Sequence, residues 1–145
     1  MQLVEAAAAD ADLLGEMNQG LRRDQGSVDA TSVADLAERM RGFLQSGWTV
    51  LLFKDAGVTL GYAMFRPEDD GIYLFGFYIA PEGRRGGLGR EALQALIDGP
   101  WKGAARVRLD VRISNPAGHA FWQAMGFTDQ TWRMERRLPP AAPEG

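Results

Sequence analysis

At 145 residues with 46% apolar and 24% charged side chains, the chain has the composition of one globular domain. Such a domain buries roughly 70% of the surface its unfolded chain exposes, which sets it apart from disordered and fibrous classes. The absence of cysteine removes disulfides, thiolate metal sites and a cysteine nucleophile together, and a net charge of −3 opposes the gathering of nucleic acid or an anionic membrane surface, so any anion site must be local.

The N-terminus, Met1-Gln2-Leu3-Val4-Glu5, has no basic region and its alanine run carries Asp10 and Asp12, which makes a poor signal peptide. No apolar run approaches the roughly 20 residues of a bilayer span, so the expectation is a soluble, cytoplasmic protein. Leu14, Met17 and Leu21 recur at helical spacing, and Val33, Leu36, Ala37, Met40 and Leu44 mark a second helix, with Ser32 and Asp35 in a capping-box arrangement and Gly47 as its stop. Trp48 to Phe53 and Val58 to Phe65 read as an antiparallel hairpin across Asp55-Ala56-Gly57. After the turn Pro67 to Gly71 comes an aromatic and β-branched strand, Ile72 to Ile79, in which Gly76 marks a bulge or a close backbone approach.

A glycine-rich loop follows, then a helix carrying Ala92, Leu93, Leu96 and Ile97 that stops at Gly99-Pro100. Val107, Leu109, Val111 and Ile113 alternate with Arg106, Arg108, Asp110 and Arg112 as a strand with one polar face. Ala117, Ala120, Phe121, Ala124 and Met125 mark a last helix ending at Gly126, a final strand is expected over about Thr131 to Leu138, and Pro139 to Gly145 has the composition of a disordered tail. Ile72 to Ile113 is thus one βαβ unit with a right-handed crossover between parallel strands, in a sheet that is otherwise antiparallel.

Arg84-Arg85-Gly86-Gly87-Leu88-Gly89 lies between strand and helix, where glycines let backbone N–H groups turn toward an anion and the helix N-terminus adds positive potential. Phosphate is the matching ligand chemistry, and a flexible basic turn is the competing structural reading. Gly87-Leu88-Gly89-Arg90-Glu91-Ala92 also fits the G-x-G-x-x-A dinucleotide pattern, with Asp110 about 20 residues on for a ribose. Against this, Ala80 to Gly86 separate strand from glycines, and only one βαβ unit is present.

Taken together, Phe77 to Gly89 resembles the coenzyme A motif of the GNAT superfamily, R/Q-x-x-G-x-G/A after a strand and a proline-containing turn. Asn115 to Phe127 resembles that family's second signature, an Asn leading into a helix closed by Gly-Phe. The resemblance implies an α/β fold: a central mixed, mostly antiparallel sheet of about six or seven strands with a splayed parallel pair, flanked by about four helices. It implies a single acyltransferase domain over residues 1–138 and acetyl-coenzyme A as co-substrate, held by Phe77, Tyr78, Ile79, Arg84, Arg85, Gly86, Gly87, Leu88, Gly89, Arg90, Asn115 and Trp122. Pantetheine would lie between Ile72 to Ile79 and Val107 to Ile113, with Gly76 at the bulge that opens the wedge.

The implied reaction is acetyl transfer to a small-molecule or peptide amine, in a protein that engages neither nucleic acid nor membrane and that forms a homodimer. An alkyl amine with a pKa near ~10.4 costs about 4 to 5 kcal/mol to deprotonate at pH 7, while a thiol of pKa roughly 8.5 leaves as thiolate at a cost of only ~1 to 2 kcal/mol. The resemblance assigns the oxyanion donor to the Ile79 backbone N–H. It leaves the base unassigned, because the strand holds no carboxylate and Trp122 stands where many members carry an acidic Tyr. Tyr78 and His119 are the ionisable candidates, and Asp24, Gln25 and Tyr73 the candidates at the acceptor, each with packing or loop polarity as the alternative. No His, Cys or carboxylate cluster has metal-ligand spacing. A non-catalytic acyl-coenzyme A sensor is the other reading the missing Tyr leaves open.

Overall fold

Gln2–Glu5 form a first strand (β1) that the alanine-rich N-terminus conceals in sequence, because it gains its ladder from a distant partner, Thr49–Asp55 (β2). The structure, a computed structural model, describes residues 1–143. Helices Ala11–Asp24 (α1) and Val33–Gln45 (α2) follow β1, and the Ser32 hydroxyl caps α2 by accepting from the Asp35 N–H at 3.1 Å. Gly15 lets the two helices touch: a Cβ there would lie 2.8 Å from the Ala37 nitrogen and 2.9 Å from the Val33 carbonyl oxygen.

The hairpin forms as its turn chemistry predicts. Ala56 (φ 50°) and Gly57 (φ 81°) are both left-handed, as a two-residue turn matched to strand twist requires, and Asp55 pairs with Val58 at the start of Val58–Pro67 (β3). Gly71–Ile79 (β4) pairs antiparallel with β3, and Arg106–Arg108 (β5) pairs parallel with β4, giving the order β1-β2-β3-β4-β5. The crossover helix is Leu88–Asp98 (α3), and Pro116–Ala124 (α4) follows β5.

Two apolar layers sandwich the sheet. Leu14, Met17, Met40, Val50, Leu52, Tyr62, Met64 and Tyr78 fill the α1–α2 side, and Phe53, Ala63, Phe65, Ile72, Leu74, Ala92, Leu93, Leu96 and Trp101 fill the α3 side. The β3–β4 register shifts by one: Phe65 faces Leu74 but Met64 faces Gly76, so Phe75 has no partner. This is the bulge that Gly76 marks, and because side chains alternate, the extra residue inverts the faces beyond it. Ile72 and Leu74 point to the α3 layer, yet it is Tyr78 that enters the α1–α2 layer, while Phe77 and Ile79 pack against the α3 side.

Three expectations need correction. Among the described residues the sheet has five strands, not six or seven, although it is mixed with one parallel pair as predicted and carries four α-helices. The strand expected over Val107 to Ile113 is paired only at Arg106–Arg108: its ladder with β4 ends at Tyr73, and among the described residues β5 has no strand on its other side. Thr131 to Leu138 is exposed and unpaired, since a lone extended segment has no ladder to join. Of the expected tail, Pro139 to Pro143 is exposed and irregular, and Glu144 and Gly145 lie outside the described residues.

Two glycine substitutions separate space from entropy. A Cβ at Gly61 would strike the Tyr78 carbonyl oxygen, so Gly61→Ala is expected to cost about 1 to 3 kcal/mol in denaturant unfolding. Gly42, in the exposed face of α2 with nothing within 4 Å of such an atom, is expected to gain about 0.5 to 1 kcal/mol as Ala.

Candidate functional site

The parallel ladder ends at Tyr73 and Arg108, but β4 runs on to Ile79, leaving one edge of Leu74 to Ile79 without a neighbouring strand. That unpaired edge and the chain after Arg108 bound a wedge. The Ala80 N–H donates to the Leu60 carbonyl at 2.7 Å, on the β3 side, so by the two-residue strand period the Ile79 N–H and C=O face the wedge. The Ile79 carbonyl there accepts from Arg84 Nε at 2.8 Å.

Arg84 also grips the mouth of the wedge. Its Nη2 lies 2.5 Å from Asp24 Oδ2 and its guanidinium sits 5.5 Å above the Tyr78 ring. The next residue of the link, Gln25, accepts through its carbonyl from the Ser114 hydroxyl at 2.7 Å. Gly26 has φ 81° and passes so close to Ser114 that a Cβ would lie 3.1 Å from the serine Cβ. The C-terminal end of α1 therefore bridges both lips of the wedge, and Asp24 and Gln25 hold structure as well as border the cleft.

Pro81–Gly86 is a 3-10 turn, and Gly87 (φ 75°) carries the chain in left-handed conformation into α3. The first helical bond runs from the Glu91 N–H to the Gly87 carbonyl, and no side chain caps the helix. The N–H groups of Leu88, Gly89 and Arg90 thus have no intrahelical acceptor, which with the helix dipole makes an anion cradle. Space around Gly86 and Gly87 is open, Arg85 and Arg90 are exposed, and these features fit a phosphate-bearing ligand. Leu88 itself is buried against Gly83, so only its backbone is available. Gly89 is closed off by the Phe121 ring, 3.3 Å from where a Cβ would lie, which leaves the dinucleotide alignment of Gly87 to Ala92 without an open second glycine.

Residues 16–127 match the sequence model of the Acetyltransferase (GNAT) family. The chain belongs to the GNAT acetyltransferase family. It is 37% identical over 78 residues to the [ribosomal protein bS18]-alanine N-acetyltransferase of Escherichia coli strain K12, a match covering 53% of each chain. The chain thus spans about half the length of the curated relatives it matches. Among solved structures, its fold is similar to a tetramutant of the BH1408 protein from Bacillus halodurans (TM-score 0.77, 22% identity, 95% of this chain and 100% of the other). It is also similar to an acetyltransferase from Thermus thermophilus (TM-score 0.73, 23% identity, 88% and 86%). The aminoglycoside N-acetyltransferase AAC(6')-Iy in complex with CoA is a third (TM-score 0.71, 16% identity, 94% and 93%).

Within this GNAT fold the remaining candidates divide. Asn115 caps α4, its Oδ1 accepting from the Gly118 N–H at 3.0 Å, and the helix closes in a Schellman motif, with Phe127 N–H to Trp122 carbonyl at 3.0 Å and Gly126 N–H to Gln123 carbonyl at 3.1 Å. Trp122 is a packing residue: its ring lies 5.1 Å from Phe77, 4.9 Å from Phe121 and 5.1 Å from Phe127. His119 is turned to Asp129, with Nε2 2.8 Å from Oδ1, and Tyr73 sits at the apex of the wedge with its hydroxyl donating to Asp110 at 2.8 Å. Burial first, then that bond, raises the Tyr73 phenol above its ordinary value and keeps it neutral.

Sequence reasoning passed over Tyr62, whose only signal was its place in an apolar strand. Its buried ring lies under the bulge, with its hydroxyl 3.5 Å from where a Gly76 Cβ would be, and Asn18 Nδ2 donates to it at 3.0 Å. Burial pushes this phenol from 10.0 up to about 12. A raised folded-state value means the neutral phenol adds stability below about pH 10 that is lost as pH rises through about 12. Tyr62→Phe is expected to remove the last step of the phenolate absorbance titration and to flatten the loss of stability across that range.

Proposed function

We propose that this GNAT chain transfers an acetyl group from acetyl-coenzyme A to a primary amine, and that the acceptor is the α-amine of a peptide N-terminus. The observation that carries the reading is the open β4–β5 wedge leading to the uncapped N-terminus of α3. In it, the phosphates of the coenzyme meet Arg85, Gly86, Gly87, Arg90 and the backbone of Leu88 and Gly89, while Asn115 and Trp122 flank it from α4. Phe77, Tyr78 and Ile79 line the pantetheine path, and the Ile79 N–H faces the developing oxyanion, where a preorganised donor acts most strongly.

The acceptor class is supported by what the site lacks in free bases. Asp24 is held by Arg84, His119 by Asp129, and the Tyr73 and Tyr62 phenols are raised. An α-amine has a pKa of roughly 7.7 to 8.0, so presenting it neutral at pH 7 costs about 1 kcal/mol, against about 4 to 5 for a lysine amine. Asp110, the carboxylate at the apex of the wedge, is engaged by the Tyr73 hydroxyl, so among the described residues each of these candidates already has a partner or a raised phenol. The names of the curated relatives, N-acetyltransferases of a ribosomal protein alanine, agree with this choice. The reading places a homodimer in the cytoplasm, bound to neither nucleic acid nor membrane, with residues 1–138 as the acyl-transfer domain and 139–145 as a tail. No described helix is long and apolar enough to cross a membrane.

Release of free thiol from acetyl-coenzyme A with peptides bearing a free N-terminal alanine is the expected result. The same peptides blocked at the N-terminus but carrying lysine should give at least roughly tenfold less. Stabilisation by coenzyme A without thiol release from either peptide would instead fit the sensor reading. Gly86→Asp puts a carboxylate into open space at the cradle, so the variant should fold normally and bind coenzyme A at least about tenfold more weakly by calorimetry.

A further inference from the structure

Phe75, the unpaired residue of the bulge, is the apolar side chain of β4 that neither layer takes up. Ile72, Leu74, Phe77 and Ile79 join the α3 layer and Tyr78 the α1–α2 layer, whereas half of Phe75 stands in solvent (50% exposed). A bulge re-aims its side chains, and this one turns an aromatic ring outward. The ring meets three others, Trp48 at 5.2 Å, Phe43 at 5.9 Å and Tyr73 at 6.2 Å, and together they form a half-buried aromatic shelf on the α1–α2 face. The Arg66 guanidinium lies 4.7 Å from the Trp48 ring and 5.6 Å from the Tyr73 ring, and it has no carboxylate partner among the described residues. Arg108, 4.4 Å from the Tyr73 ring, is by contrast held by Glu68.

The shelf occupies one place in the wedge. On this face the wedge is tied at its apex by the Tyr73 hydroxyl on Asp110, and at its mouth by the end of α1, which Arg84 holds from one lip and Ser114 from the other. Phe75 lies on β4 between the two ties, and α3 with its cradle lies on the opposite face, so an acceptor reaching the wedge passes over Phe75. Ile79 and Phe75 are four strand residues apart, about 13 Å at ~3.3 Å per residue. An extended peptide advances about 3.3 to 3.6 Å per residue, so with its terminal amine at the Ile79 N–H its third or fourth residue arrives at the shelf. We propose that the shelf is a specificity subsite of the acetyl transfer, taking an aromatic side chain at the third or fourth residue of the acceptor peptide and rejecting a basic one through Arg66. An incoming aromatic ring joins a group already packed at tilted and edge-on angles, covers the open half of Phe75 and leaves the Arg66 cation over π-surface. A lysine or arginine in the same place sets a second cation beside a guanidinium that lacks a carboxylate.

The subsite rests on the peptide reading of the acceptor and extends it from the reacting amine to the chain behind it. Being remote from the reacting carbon, it acts on peptide binding and not on the chemical step. The test measures thiol release with peptides that all begin with alanine and differ only at the third and fourth residues, which carry glycine, phenylalanine or lysine. Phenylalanine at one of these positions is expected to lower KM about tenfold against glycine with kcat unchanged, and lysine to raise it. Phe75→Ser, at an exposed position, should bring the KM values of the phenylalanine and glycine peptides within about threefold of each other while coenzyme A still raises the melting temperature as it does in the unmodified protein. Arg66→Glu should remove the penalty on lysine. Equal KM for all the peptides, a preference carried by kcat, or a phenylalanine preference undiminished in Phe75→Ser would each overturn the subsite while leaving the acetyl transfer standing. So would a lower mass by light scattering in Phe75→Ser with peptide preference unaltered, since a second copy would then be what covers the shelf. Thiol release from none of the peptides would overturn the peptide reading itself, and the subsite with it.

Discussion

The unpaired Phe75 between Leu74 and Gly76 is one residue more than β3 can match, and the arrangement of the site depends on it. Because strand side chains alternate with period two, everything after the extra residue is turned over. Without it Tyr78 would point to the α3 layer, and Phe77 and Ile79 to α1 and α2. With it, the Tyr78 ring packs on Gly20, where any Cβ would collide with the phenol, and lies beneath the Arg84 guanidinium. Phe77 is delivered to the aromatic group of α4. The bulge lies just beyond Tyr73, where the β4–β5 ladder ends, so the insertion sits at the opening of the wedge and decides what lines it.

The glycine-rich loop divides its glycines between two physical tasks. Gly83 and Gly89 are glycines because neighbours press on them, Leu88 Cδ2 at 2.7 Å from one would-be Cβ and the Phe121 ring at 3.3 Å from the other. Gly86 and Gly87 face open space, and it is there that backbone N–H groups are free for an anion. Arg84, which looks from sequence like half of a phosphate-binding pair, is largely spent on Asp24 and the Ile79 carbonyl, so positive potential in the cradle comes from Arg85 and the helix terminus. The loop is thus anchored by one arginine and charged by the other.

What could be read from the sequence follows from how local its cause is. The Ala56-Gly57 turn, the Ser32 cap, the stop at Gly99 and the Gly126 closure each depend on a few adjacent residues, and each forms where its chemistry puts it. Even the bulge was marked by Gly76. The ion pair that assembles the mouth is not legible in the sequence, since Asp24 and Arg84 are 60 positions apart and either alone is an ordinary polar residue. His119 misled for the same reason: a near-neutral side chain on a helix says nothing of an aspartate ten positions on that claims it. The strands over-extended in the reading, Leu109 to Ile113 and Thr131 to Leu138, have correct alternation but no neighbour, and alternation describes a face, not a ladder.

The two walls of the wedge are built to different standards. β4 is held between β3 and two packed layers, whereas the opposite wall has three ladder pairs and a helix with no buried residue. Its position relative to β4 is set by a run of ring contacts, Phe77 to Phe121 and Trp122, then Trp122 to Phe127, together with the Ser114 to Gln25 bond at the mouth. Trp122 is the only member of that run that touches all three of the other rings. A tyrosine there would have a smaller ring and a hydroxyl that must be satisfied in apolar surroundings. Where the wall has little burial to hold it, the Trp122 indole supplies contact area to three rings at once.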